Sequence, residues 1–443
     1  MRMTTLEDRM AIMTLARAGH TDADIAERIG WSTRTVRKWR RRGEQQGRPG
    51  LASRMGRRAT GAMSTFPWVV EMVRSWRKAH PGWGPLTLRT ELEGAELLRK
   101  PWPSRATIAR WLKQEGLTRP YERHHDLPQP AQTAAQAPHE AWEMDARGCE
   151  MVPGVGAVAL INLNDRFSKV KLLSYPCWLG AHRASRHPTT EDYQLAFRLA
   201  ATEWGLSDRL HVDRDSVFYD NGSKSPFPTR FHLWLLALGV ELVIGPPDCP
   251  TERGLTERSH QTWDQQVLQG QAGVTREGLV LALQHRRDFL NERLPCASLG
   301  DRPPLVAHPA ARTPRRLYRP EWEADLMDLS RVYAYLAQGS WFRKASNVGV
   351  VSLGNQRYGL GKDWARKDVE ITFDPNDQHL VFHTPDGNLT KHHPIKGISK
   401  TELMGELGPL VNFDHFQLAL PFTWDEWRVT RLSETLLARL NET

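Results

Sequence analysis

The chain has 443 residues, 40% hydrophobic and 25% charged, too long for one compact domain and too apolar for wholesale disorder. Sixty Lys and Arg against 51 Asp and Glu leave a net charge of +9, which points to a polyanionic partner. No run of about 18 apolar residues and no apolar leader core is visible, so a helical membrane span and a secretory signal are not expected.

The basic excess is uneven. Residues 1–60 carry 14 Lys and Arg against 6 Asp and Glu, whereas residues 401–443 carry 3 against 7. A basic head with an acidic tail suggests nucleic acid at one end only. Cys149, Cys177, Cys249 and Cys296 lie far apart with no CxxC pair. That spacing argues against a disulfide framework or a zinc ribbon and fits a reducing cytosol.

The first fifty residues read as three short helices. Thr5 to Ala18 is periodic, Thr21 caps a second helix that stops at Gly30, and Ser32 caps a basic third, Thr33 to Arg40. Helix, glycine turn and capped basic helix make a helix-turn-helix over 1–48. Val36 and Trp39 are expected to pack on Ile25 and Ile29, leaving Thr33, Arg34, Arg37, Lys38 and Arg41 facing a major groove. Residues 43–60 read as a basic, glycine-rich linker. A second helix-turn-helix-like module is expected over 60–119. Its parts are the amphipathic Phe66–Ala79, the turn His80-Pro81-Gly82-Trp83-Gly84, and a Ser104-capped helix carrying Arg105 and Arg110. Residues 120–138, rich in Pro, Gln and Ala, read as a linker.

From Trp142 the texture changes to three strands, Trp142–Val152, Ala157–Leu163 and Lys169–Tyr175. Helix Thr190–Trp204, strand Leu210–Asp213, helix Phe231–Leu238, strand Val240–Ile244 and helix Glu257–Leu268 follow. This makes an α/β domain, placed at 139–300. Short strands and turns over 328–400 suit a small β-barrel. Residues 401–443 form an acidic, aromatic tail whose Trp424, Trp427 and Leu432–Leu440 stripe is expected to act in assembly rather than on DNA. The fold class expected is therefore multidomain α+β.

Carboxylates at the ends of buried strands are costly without a partner. Asp145 follows an apolar strand start, Asp213 ends a second strand, and Glu257 opens a helix after a proline-rich approach. Converging on one sheet edge, three such acids would suit two hard divalent cations. The second acid has a rival in Asp220, within Asp220-Asn221-Gly222; Asp213 is favoured because it directly ends an apolar strand. Arg258 and His260 on the glutamate's helix are candidates to touch a phosphate.

Three stretches together resemble the integrase core of DDE transposases, bacterial insertion-sequence enzymes and more distantly retroviral integrases. They are Trp142-Glu143-Met144-Asp145, then Asp213-Arg214-Asp215-Ser216-Val217-Phe218, then Leu238-Gly239-Val240-Glu241 leading through Pro246-Pro247 to Glu257-Arg258. Where relatives usually show Asn-Gly before the glutamate, this chain has Arg253-Gly254. The resemblance implies a ribonuclease-H-like catalytic core with Asp145, Asp213 and Glu257 holding two Mg²⁺ or Mn²⁺ ions. It implies DNA cleavage and strand transfer at the ends of a mobile element, without a covalent enzyme intermediate. Double-stranded DNA, other copies of the chain in a synaptic complex and an accessory ATPase are the partners it implies, in the bacterial cytoplasm at the nucleoid. The reading from another class is a DNA-binding repressor or domesticated protein that kept the fold and lost the chemistry.

Overall fold

The computed structural model describes residues 4–51, 67–95, 102–118, 135–245, 254–270 and 275–405. Two compact units meet at residues 72 and 73. Among the described residues no helix is long and apolar enough to cross a membrane.

The first unit is built by its caps. Helices α1 (Leu6–Arg17) and α2 (Asp22–Ile29) each begin with a capping box, Thr5 with Asp8 and Thr21 with Asp24. Gly30 stops α2 at φ 68°, a left-handed turn that favours glycine. Helix α3 runs from Thr33 to Gly50, bent at Gly47, so part of the expected linker is helical. Ile12, Ile25, Val36, Trp39 and Leu51 form the small core. The Arg9 guanidinium sits 4.0 Å over the Trp39 ring and donates to the Leu51 carbonyl at 2.9 Å.

The second helical module comprises α4 (Pro67–Ala79), α5 (Pro85–Gly94) and α6 (Arg105–Gln114), the last capped by Ser104. The core sheet then has five strands in the order β3-β2-β1-β4-β5. They are β1 (Ala141–Val152), β2 (Gly156–Asp165), β3 (Lys171–Gly180), β4 (Arg209–Val212) and β5 (Glu241–Ile244). The first three pair antiparallel, and β4 and β5 join parallel to β1. Parallel neighbours need crossovers, supplied by α7 (Thr190–Trp204) and α8 (Arg230–Ala237). Antiparallel β1–β3 followed by parallel β4 and β5 is the ribonuclease-H-like arrangement.

Strand β2 is buried at all of its positions because it is covered on both faces. Ala157, Ala159, Ile161 and Leu163 join the main core with α7 and α8. Val158 and Leu160 join a second core with Trp263, Leu283 and Phe289, residues of α9 (Gly254–Trp263) and α10 (Arg276–Glu292). The expected single helix Glu257–Leu268 is thus α9 followed by one π-helical turn, Asp264–Leu268.

Short helices α11 (Pro304–Ala307), α12 (Glu323–Leu326) and α13 (Leu329–Leu336) lead to the C-terminal sheets. The small barrel expected there is not closed. Strands β6 (Ser340–Lys344), β9 (Asp368–Asp374), β10 (His379–His383) and β11 (Thr390–Pro394) form an open four-stranded sheet, β11-β10-β9-β6. Strands β7 (Val350–Leu353) and β8 (Gln356–Gly359) form a separate hairpin. Among the described residues β7 and β8 pair only with each other, Val350 opposite Gly359 through Leu353 opposite Gln356, so no ladder joins them to the four-stranded sheet. Side chains bridge the gap instead, Lys391 and His393 of β11 reaching the Gly359 carbonyl. Helix α14 (Lys400–Met404) follows. The rest of the acidic tail, with its assembly stripe, lies outside the described residues.

One buried ion pair ties these parts together. Glu323 is fully buried and Arg198 is 2% exposed. The Arg198 guanidinium donates to both Glu323 oxygens at 2.7 and 2.6 Å and to the Met404 carbonyl at 2.7 Å. Trp234 Nε1 (2.8 Å) and the Tyr318 hydroxyl also donate to Glu323, so the carboxylate's lone pairs are well used.

Candidate active site and nucleic-acid interface

On the face of β2 that packs on α9 and α10, apolar Val158 and Leu160 give way to Asn162 and Asn164, both buried. Successive residues alternate faces, and cross-strand partners share one. Asn162 is opposite Asp145, and Asn164 is opposite Glu143. On the other side of β1, Glu143 is level with His211 of β4. Two residues past Glu143 on β1 stands Asp145, and two past His211, just beyond the last residue of β4, stands Asp213. Both aspartates thus follow the last residues paired between these neighbouring strands.

Helix α9 is fastened across this polar face. Ser259 Oγ donates to Asn164 Oδ1 at 3.2 Å, and Lys171 Nζ donates to Ser259 Oγ at 3.3 Å. His260 Nε2 lies 3.7 Å from Asp145 Oδ2, and Arg147 donates to the His260 carbonyl at 2.8 Å. Burial, then Arg147 and Lys171, push His260 down to about 4, so it is neutral near pH 7. Burial pushes Lys171 down to about 8. Position 257 stands one helical turn before His260 in α9; the Glu257 side chain and the approach through Pro246-Pro247 lie outside the described residues.

Tyr193 of α7 marks the same edge from the main core. Burial and then the charges of Asp215, Asp145 and Asp213 raise its phenol well above the usual range. Asp213 Oδ1 accepts from the Asp215 amide at 3.0 Å. Asp220 pairs with Arg343 at 3.6 Å and lines a cavity of about 280 Å³ with Phe227 and Trp341. Among the described residues no three His, Cys, Asp or Glu side chains form a metal-binding group. Asp145 and Asp213 supply oxygen donors of the kind hard divalent cations take. Asn162, Asn164 and Ser259, the supports of the site, were missed in the sequence. Their signal was two buried-strand asparagines at alternate positions, Ile161-Asn162-Leu163-Asn164.

The basic residues singled out in the head are on its surface. Thr33, Arg34, Arg37, Lys38 and Arg41 are exposed on α3, while Val36 and Trp39 are buried. Arg37 Nε contacts Asp22 at 3.3 Å but remains 73% exposed, a pair worth at most about 1 kcal/mol and open to exchange for phosphate. Arg105 and Arg110 are exposed on α6, and Arg258 is exposed on α9.

Burial alone pushes His232 of α8 down to about 4. A histidine charged in the unfolded chain below about 6.5 and neutral in the fold stabilises above that pH and loses the effect as pH falls toward 4. Between pH 7 and pH 5 the fold is expected to lose about 2 kcal/mol on this account. His232→Gln should flatten that part of a stability-against-pH curve; an unchanged slope would remove His232 as its source.

The strand order and the capped helical head define the class by fold: a helix-turn-helix unit with a core of ribonuclease-H-like strand order. A homeodomain-like domain family matches residues 3–52. Among solved structures, the catalytic core of BIV integrase matches at 16% identity and a TM-score of 0.28, covering 39% of this chain and 95% of that one. The HTLV-2 integrase catalytic core in complex with magnesium matches at 15% and 0.29, covering 39% and 98%. A simian T-cell lymphotropic virus intasome in complex with a PP2A regulatory subunit matches at 12% and 0.31, covering 74% and 96%. These matches are likenesses; the strand order and the capped head themselves show a helix-turn-helix unit ahead of a five-stranded sheet of ribonuclease-H-like order.

Proposed function

We propose that this protein is a DNA transposase that binds the ends of its mobile element and performs metal-dependent cleavage and strand transfer. The observation that supports it most is Asp145 on β1 beside Asp213, which directly follows the end of the neighbouring strand β4, with α9 held over the same face at His260. Asp145, Asp213 and Glu257 would hold two Mg²⁺ or Mn²⁺ ions, which supply charge stabilisation at the attacking and leaving oxygens of phosphoryl transfer. The oxygen of a water or of a DNA 3′-hydroxyl attacks phosphorus, and the bond to the leaving 3′-oxygen breaks. The buried Asn164–Ser259–Lys171 chain orients α9, and neutral His260 sets its distance from Asp145. The exposed α3 and α6 faces bind the element ends, with Arg258 close to the reacting strand. The active form is a homo-oligomer on paired ends.

The deciding test is strand transfer of a labelled element end in Mg²⁺ by the full chain. Joined product supports the reading; specific binding with neither nicking nor joining would make the protein a repressor on a retired catalytic fold. Within α3, Arg37→Ala is expected to relax sequence preference and cost about 1–3 kcal/mol on the specific site. Lys38→Ala should weaken specific and random DNA alike and lower the salt slope by about one. Equal losses by both variants on both DNAs would show that α3 positions the head without reading bases.

A further inference from the structure

The turn His80-Pro81-Gly82-Trp83-Gly84 belongs to the second helical module, yet its packing is on the catalytic core. Trp83 Nε1 donates to the Gln266 carbonyl, in the π-helical turn that ends α9, at 3.3 Å. His80 stacks on Trp83 at 4.0 Å with the planes only 10° apart. On Trp83 lies the Arg286 guanidinium at 4.3 Å, and the same guanidinium lies 3.9 Å from the Phe289 ring. Ring, ring, guanidinium and ring form one continuous stack from module to core.

Arg286 is the hub. It is buried, pairs with Glu91 of α5 at 2.5 Å, and donates to Gln266 Oε1 at 2.9 and 2.5 Å. Its fork thus holds a carboxylate from the module and an amide from the π turn at once. The backbones also approach closely. A Cβ on Gly82 would stand 2.0 Å from the Gln265 carbonyl oxygen, and one on Gly270 would stand 2.1 Å from the Ala79 carbonyl oxygen. Both ends of the π turn therefore touch the module where only glycine fits. Single π turns inside helices recur at functional sites, and this one directly continues the helix that carries position 257.

We infer that the Trp83–Arg286 junction is a positioning device: the second helical module holds α9, and through it Glu257, in register with Asp145 and Asp213. This rests on the active-site reading above. Trp83 and Arg286 touch no reacting atom in this arrangement; they act through α9.

The test uses the full-length chain and two readouts, amide hydrogen exchange over 254–270 and Mn²⁺ titration followed by electron paramagnetic resonance. In Trp83→Ala, exchange over that segment should accelerate while β1–β3 stay protected. The Mn²⁺ midpoint should rise about tenfold or more, the range seen when supports of a metal ligand are removed. Trp83→Phe, which keeps the stack and loses only the bond to Gln266, should recover most of the affinity. If Trp83→Ala does not fold, Gly82→Ala, which displaces the Gln265 carbonyl, carries the same two readings. A folded variant with faster exchange over 254–270 but the wild-type Mn²⁺ midpoint would overturn the inference, as would no change in either. Wild-type protein that neither takes up Mn²⁺ nor cuts DNA would instead sink the active-site reading.

Discussion

Asp145→Ala and Asp213→Ala are each expected to lower DNA cutting and joining by about 10²–10³-fold, the scale of losing a group that stabilises transition-state charge. Binding of the element end should survive both, since the exposed α3 and α6 residues are untouched. Asp220→Ala is the contrasting variant. Its carboxylate pairs with Arg343 and lines the cavity beside Trp341, so activity should stay within a few-fold of wild type. The checks are a denaturing gel for strand products and a gel shift for binding, on the same preparations. An active Asp213→Ala beside a dead Asp220→Ala would transfer the role to Asp220.

Glu323→Ala carries the largest expected loss of stability. Removing the carboxylate strands Arg198, 2% exposed, with no countercharge, and the Trp234 indole and Tyr318 hydroxyl lose their acceptor. Breaking a buried pair from one side costs about 3–5 kcal/mol. Urea unfolding of the variant should show it. Replacing both residues, Arg198→Met with Glu323→Leu, should recover much of the loss, because no charge is then left buried. A loss under about 1 kcal/mol for Glu323→Ala would mean that water reaches Arg198 and solvates it.

Much of this arrangement is legible in the sequence where a local rule decides it. Thr5, Thr21, Ser32 and Ser104 are side chains that cap helices, and each stands before one. Alternation and turn residues place β1, β2 and β4, and Asp213 directly follows Val212 of β4. What is not legible depends on partners far along the chain. Helix α10 turns Gln284, Arg286, Arg287 and Asn291 inward, so its polar residues hide the apolar stripe that usually reveals a helix. Arg287 belongs inside because Glu203 of α7 meets it at 2.6 Å. Trp83 reads as a turn residue because the stack that explains it comes from Arg286, about two hundred residues later. The open C-terminal sheet is a closure question, and no local pattern reports whether β7 and β8 join a ladder across the gap.

The Arg198–Glu323 pair also sets an order of events during synthesis. Its members are 125 residues apart, and at about 5–20 residues per second the ribosome needs roughly 6–25 s to make that stretch. Through that interval α7 exists without the carboxylate its buried guanidinium requires. The five strands are all made by residue 244, yet the main core around them also takes in later residues, Val332, Leu336 and Leu403 among them. A chain cut short before residue 323 would therefore keep the guanidinium of α7 without its countercharge.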